Sequence, residues 1–257
     1  MKKTVKRELA LQKFLAKREN KKKVVGALVC GSYITGNPSK HSDIDLHIVL
    51  KKGTKWRERG NEYVDGILIE YFANPTHILT SYFVKDYADN KRLCAHMFAT
   101  WKILFDKTWE LKKTVSEAKK FVKKPFPKRS KITLEANKYF LRDTYDNLHE
   151  IYEWKDEAFH MVYYTTLYSI AETYTKFLQL ETPKPHKIKR FLANKHDMKK
   201  YNFPELPDKH FVKLFLDAVK LHDPHKMMKK IQKLTEHVLD KMWGFNIDGW
   251  KLRSPAK

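Results

Sequence analysis

The sequence predicts an α/β domain followed by an all-α domain, and three observations carry that prediction. Short, β-branched apolar runs closed by Gly, Pro or Asn occur in the first half, as in Val24-Val25-Gly26-Ala27-Leu28-Val29-Cys30. Lys123-Lys124-Pro125-Phe126-Pro127-Lys128 then breaks the composition, because its two prolines forbid a regular helix. Beyond that break no strand-like alternation remains, and apolar residues recur only at helical spacing. The expected domains are therefore 1–124 and 125–257.

Each element follows in turn. Val5, Leu9, Leu11, Phe14 and Leu15 predict an amphipathic helix over 4–22. Val24–Cys30 is a buried strand closed by Gly31-Ser32, and Asp43–Leu50 is a second strand ended by Lys51-Lys52-Gly53. Glu62–Phe72 reads as a third strand, bent or interrupted at Asp65-Gly66 and stopped by Asn74-Pro75. Helical patterns cover 75–100 and 108–123, with Trp101–Phe105 a short fourth strand between them. In the second half, Leu134, Leu141, Tyr145, Leu148 and Tyr152 mark one helix. Ala158–Phe177 is apolar nearly all round, as expected of the central helix of a bundle, and shorter helices follow at 186–196, 208–221 and 224–243.

Composition narrows the class. The chain has 257 residues, with 52 Lys and Arg against 30 Asp and Glu, a formal charge of +22; 42% of it is apolar and 13% aromatic. That apolar share is enough for real cores and argues against wholesale disorder. The apolar runs are too short for a membrane span, and the charged N-terminal segment lacks the apolar stretch of a secretion signal, so a cytoplasmic chain with no membrane partner is expected. Cys30 and Cys94 are too few for a disulfide framework and are expected as buried thiols. The surplus charge attracts anions without choosing among nucleotides, nucleic acid, acidic protein and membrane headgroups, and it equally describes a lysine-rich solvated surface. Trp101, Trp109, Trp154, Trp243 and Trp250 read as core or interface rather than stacking platforms.

The chemistry is concentrated in Gly31-Ser32, a ten-residue gap, and Asp43-Ile44-Asp45 at the head of a strand. Side chains alternate faces along a strand, so Asp43 and Asp45 project together while Ile44 and Leu46 face a core. Two neighbouring carboxylates repel, and a hard divalent cation such as Mg²⁺ is their natural counter-ion. Glu70, inside the apolar Ile67-Leu68-Ile69-Glu70-Tyr71-Phe72, joins them if its strand lies alongside. Three carboxylates then suffice for two metal ions of the kind that serve phosphoryl and nucleotidyl transfer. Gly31 permits close backbone approach, and Ser32 with nearby N–H groups is placed to bind phosphate. His41 and His47, which flank the acidic pair, read as local hydrogen-bond partners.

Gly31-Ser32, Asp43-x-Asp45 and the later Glu70 resemble the DNA polymerase beta-type nucleotidyltransferases, and with a helical C-terminal half the pattern is similar to the kanamycin and related aminoglycoside and lincosamide nucleotidyltransferases. The resemblance implies a mixed-sheet catalytic domain followed by a helical substrate-binding domain. It implies Asp43, Asp45 and Glu70 as ligands of two Mg²⁺ ions, Gly31 and Ser32 on the triphosphate, and transfer of AMP from ATP to a hydroxyl of a small acceptor, such as an aminoglycoside-like antibiotic. Many relatives carry a basic residue soon after Gly-Ser; here Tyr33, Ile34 and Thr35 stand there, so Lys40 or a lysine of the helical domain is expected to supply that charge. Such relatives also take a general base from the helical domain. Asp143, Asp146 and Glu150 share one helix face, and Asp143 is the first choice. The alternatives are transfer to RNA or protein, and a non-catalytic nucleotide-binding or toxin-neutralising module.

Overall fold

The computed structural model describes residues 3–36, 42–200 and 203–255. The chain divides into two compact units, Met1–Lys124 and Pro125–Lys257.

The first unit is a five-stranded mixed sheet with helices on both faces. Its strands are β1 (Val24–Cys30), β2 (Ile44–Leu50), β3 (Glu58–Val64), β4 (Ile67–Pro75) and β5 (Lys102–Asp106), in the order β3-β4-β2-β1-β5. Only β2 and β4 run parallel; every other pair is antiparallel. The central β1 is buried along its whole length, which is why its sequence is a continuous apolar run rather than an alternating one. Register shifts near Gly26 and Ala27 also break its alternation, so Val24, Ala27 and Val29 face one layer and Val25, Leu28 and Cys30 the other.

Against the first layer lies α1 (Lys3–Ala16), whose Ala10, Leu11, Phe14 and Leu15 pack on Ile44, Leu46, Ile48 and Ile69. The helix ends at Ala16, short of the expected 22. Arg18 there folds back over the Phe14 ring, 3.7 Å from its centroid, and reaches Glu62 of β3 at 2.7 Å. Against the second layer lie α3 (Thr76–Ala88), α4 (Leu93–Ala99) and α5 (Glu110–Lys123), through Leu79, Phe83, Phe98, Leu111 and Val115. A short helix α2 (Ser32–Thr35) follows β1 directly.

The single bent strand expected over Glu62–Phe72 is a hairpin of two strands, β3 and β4. Asp65 and Gly66 form its two-residue turn with φ of 51° and 75°, the left-handed pair that suits the twist of adjoining strands. Cys30 is buried as expected, whereas Cys94 is only half-buried. Trp109, Trp154 and Trp243 are exposed rather than core.

The second unit is helical throughout its described residues: α6 (Lys131–Glu153), α7 (Phe159–Phe177), a 3-10 turn at Pro185–Lys187, α8 (Ile188–Ala193), α9 (Lys195–Lys200), α10 (Lys209–Val219) and α11 (Pro224–Lys241). The near-uniform apolarity of α7 reflects its position, since Tyr163, Leu167, Ile170, Ala171 and Tyr174 lie in a core shared with α6, α10 and α11. Side-chain caps start three helices: Ser130 accepts from Thr133 N, Asp208 from Phe211 N, and Asp223 from Lys226 N.

Candidate active site

The parallel register of β2 and β4 builds the site. Asp45 lies opposite Glu70 and His47 opposite Phe72, so these four side chains share the sheet face that α3, α4 and α5 cover. Asp43 enters the same cluster from the residue before β2, and one ligand oxygen from each of Asp43, Asp45 and Glu70 lies within 4.8 Å of the others. All three are half-buried. Two oxygens on one small octahedral ion are at most about 4.2 Å apart, so modest side-chain rotation lets the cluster close on Mg²⁺. The donor set is hard oxygen throughout and fits that cation.

Gly31 completes the wall. Its backbone, at φ 75° and ψ −158°, lies in a region open only to glycine. A methyl group there would also overlap Asp45 Oδ2 and stand 2.9 Å from Asp45 Cγ. The Gly-Ser bend and the second aspartate are thus packed against each other, and Ser32 follows half-buried as the first residue of α2. Beside them the Cys30 thiol donates toward the Asp45 carbonyl at 3.8 Å. Burial pushes its pKa up, the Asp45 charge pushes it further, and the group stays a thiol rather than a competing anion.

Beneath the carboxylates the sheet face turns aromatic. His47 stacks on Phe72 with centroids 5.2 Å apart and meets Phe98 of α4 at 4.9 Å. Neither ring nitrogen has a hydrogen-bond partner, so His47 is a neutral member of an aromatic floor and not the hydrogen-bonding neighbour expected from its place in the sequence. Burial lowers its pKa to about 4.

Two arginines escaped the sequence reading. Arg59 of β3 reaches across the hairpin and donates to Glu70 Oε1 at 2.6 Å, with its guanidinium 4.9 Å from the Phe72 centroid. Glu70 therefore keeps one oxygen for Arg59 and has its second for an ion. Arg7 of α1 is 4% exposed and donates to the Ser42 carbonyl at 3.3 Å, immediately before Asp43. Its signal was present in the sequence: Arg7 precedes Leu11 by four residues and Phe14 by seven, so it continues the apolar stripe of α1.

Lys40, expected on the triphosphate, lies outside the described residues, as does His41. Asp143, Asp146 and Glu150 share the exposed side of α6. There Asn147 donates to Asp143 at 3.4 Å and Arg142 to Asp146 at 2.8 Å. No helix among the described residues is long and apolar enough to cross a membrane.

Residues 11–110 match the family model described as polymerase beta, nucleotidyltransferase. No curated protein matches the chain. Among solved structures, a nucleotidyltransferase-like protein from Exiguobacterium sibiricum 255-15 is similar at a TM-score of 0.50 and 10% identity, over 91% of this chain and 74% of that one. At that identity the likeness concerns the fold, and it agrees with a mixed-sheet domain followed by a helical one. The matched segment contains the Gly-Ser bend and all three clustered carboxylates, so it is over the residues of the candidate site that the chain is similar to the polymerase beta-type nucleotidyltransferases.

Proposed function

We propose that the protein transfers a nucleoside monophosphate, AMP from ATP, to a hydroxyl of a small acceptor, in the manner of the aminoglycoside nucleotidyltransferases. The observation that carries this reading is the convergence of Asp43, Asp45 and Glu70 beside the Gly31-Ser32 bend. Two Mg²⁺ ions held by these carboxylates would supply charge neutralisation at the attacking and leaving oxygens.

The chain's own groups have distinct tasks. Gly31 lets the triphosphate approach the backbone, and the Ser32 hydroxyl donates to a phosphate oxygen. The acceptor oxygen forms a new bond to the α-phosphorus, the bond from that phosphorus to the bridging oxygen breaks, and pyrophosphate leaves. The hydroxyl proton passes to a carboxylate base, for which Asp143 is the first choice and Asp146 the second. Lys40 is assigned to the triphosphate charge. The aromatic floor of His47, Phe72 and Phe98 excludes water beneath the carboxylates and so strengthens their hold on cations.

A second reading, transfer to RNA, is favoured by the lysines of α5, which have no ion-pair partner among the described residues. The test of both is incubation with α-labelled ATP and Mg²⁺ against aminoglycosides, lincosamides, tRNA and protein extract. Label should move to one acceptor class and be lost in Asp45→Ala. Transfer that survives in Asp45→Ala refutes the site.

A further inference from the structure

The positive charge of the first unit is sorted by α5. At 100° per residue, Lys112, Lys113, Lys119, Lys120 and Lys123 fall within an arc of about 120°, with Ser116 the only other residue inside it. All six positions are exposed. The helix has two glutamates, and both lie beside that arc, turned toward α3: Thr76 donates to Glu110 at 3.2 Å and Thr80 to Glu117 at 3.1 Å. Among the described residues none of the five lysines has an ion-pair partner. On a solvated helix, acids at i+4 pair with lysines and neutralise them locally, and Glu117 stands four residues after Lys113 but accepts from Thr80 instead. Here the acids are withdrawn to an internal contact and the outer face is left wholly cationic.

Aromatic rings border that face. Trp109, immediately before α5, is 64% exposed, and Lys112 Nζ lies 3.7 Å from its ring centroid. Lys119 Nζ lies 5.8 Å from the Trp101 ring. A lysine row with an exposed ring at one end is the arrangement that holds a phosphate backbone while stacking an unpaired base. The arc has no aliphatic side chain, so it offers nothing to insert among lipid chains. From Lys112 to Lys123 it runs about 16 Å, long enough to follow several consecutive phosphates of one strand.

We propose that the outward face of α5, with Trp109 at its head, docks single-stranded RNA. This goes beyond nucleotidyl transfer, since binding needs neither nucleotide nor divalent ion and stands or falls apart from the carboxylate cluster. The test is fluorescence anisotropy of a labelled unstructured RNA 12-mer in EDTA, across a salt series. The full chain should bind RNA with a steep salt dependence. The fourfold variant Lys112→Gln, Lys113→Gln, Lys119→Gln, Lys120→Gln should flatten the log–log slope by about 3, at ~0.7 for each lost contact. Trp109→Ala should weaken binding about tenfold with the slope unchanged, and Trp109→Phe should restore it. Circular dichroism and thermal melting establish that each variant is folded. Unchanged binding in the fourfold variant overturns the proposal. So does binding of duplex DNA or phosphatidylglycerol vesicles as tight as that of RNA, or a Trp109→Ala variant with parental affinity.

Discussion

Gly31→Ala tests the structural basis of the site at its tightest point. The added methyl would overlap Asp45 Oδ2 and approach Cγ to 2.9 Å, whereas carbon contacts ordinarily begin near ~3.5 Å. The carboxyl carbon must therefore retreat by more than about half an ångström, and its oxygen by more. A misplacement of about 1 Å in a catalytic constellation costs roughly 100-fold in rate. The backbone at φ 75° and ψ −158° adds strain of about 1–3 kcal/mol, which for a chain of this size lowers Tm by about 5 °C.

The control is Gly36→Ala. Gly36 has φ 76° and ψ 16°, and no atom among the described residues lies within 4 Å of its would-be methyl, so this variant has backbone strain of about 1–2 kcal/mol without disturbing Asp45. Calorimetric titration with Mn²⁺, label transfer from ATP and thermal melting are measured on both. Loss of metal affinity and turnover in Gly31→Ala, with both retained in Gly36→Ala, is the expected pattern. Parental Mn²⁺ affinity in Gly31→Ala would show that Asp45 does not need the space that glycine leaves.

Three further perturbations probe the surroundings. Arg59→Ala removes a guanidinium beside Glu70, so Mn²⁺ affinity should rise about threefold; Arg59 is 69% exposed, and Tm should hardly move. Weaker Mn²⁺ binding in a titration would instead make Arg59 a support for Glu70. His47→Phe replaces a ring with two unbonded buried nitrogens by an apolar one in the same stack, so Tm at neutral pH should hold or rise, and a fall of several degrees counts against the neutral-floor description. In the helical unit, burial works to raise the Asp208 pKa, but the Phe211 N–H, Tyr174 hydroxyl and His237 imidazole outweigh it and hold the value near 2 instead of 3.8. A depressed folded-state pKa gives stability that is present above the ordinary value and is lost as pH falls from about 4 through about 2, here on the order of 2 kcal/mol. Asp208→Asn should lower stability at neutral pH and flatten the acid limb of the unfolding curve, and superimposable acid limbs would contradict this.

The legible parts of the fold were those whose burial is simple. β1 and β2 lie in the middle of the sheet and have the short apolar runs such positions demand, while α7 is apolar around its circumference because helices surround it. The first half of β3 is different: Glu58, Arg59, Gly60, Asn61 and Glu62 sit on a sheet edge with one neighbour, so no alternation marks them, and the hairpin read as a single strand. That omission hid Arg59, whose contact with Glu70 exists only in the register of β3 on β4. The shared face of Asp43 and Asp45 follows from strand geometry alone and was readable. That the Gly31 backbone touches Asp45 depends on two strand ends meeting, which spacing does not reveal.

The parallel pairing of β2 and β4 ties assembly to chemistry. Sliding β4 by a single residue would swing Glu70 into the oily layer under α1 and thrust Ile69 out among the aspartates. A chain that mispairs there sacrifices solubility together with activity, so well-packed yet dead molecules should be scarce, and selection for a sound sheet also preserves the acidic pocket.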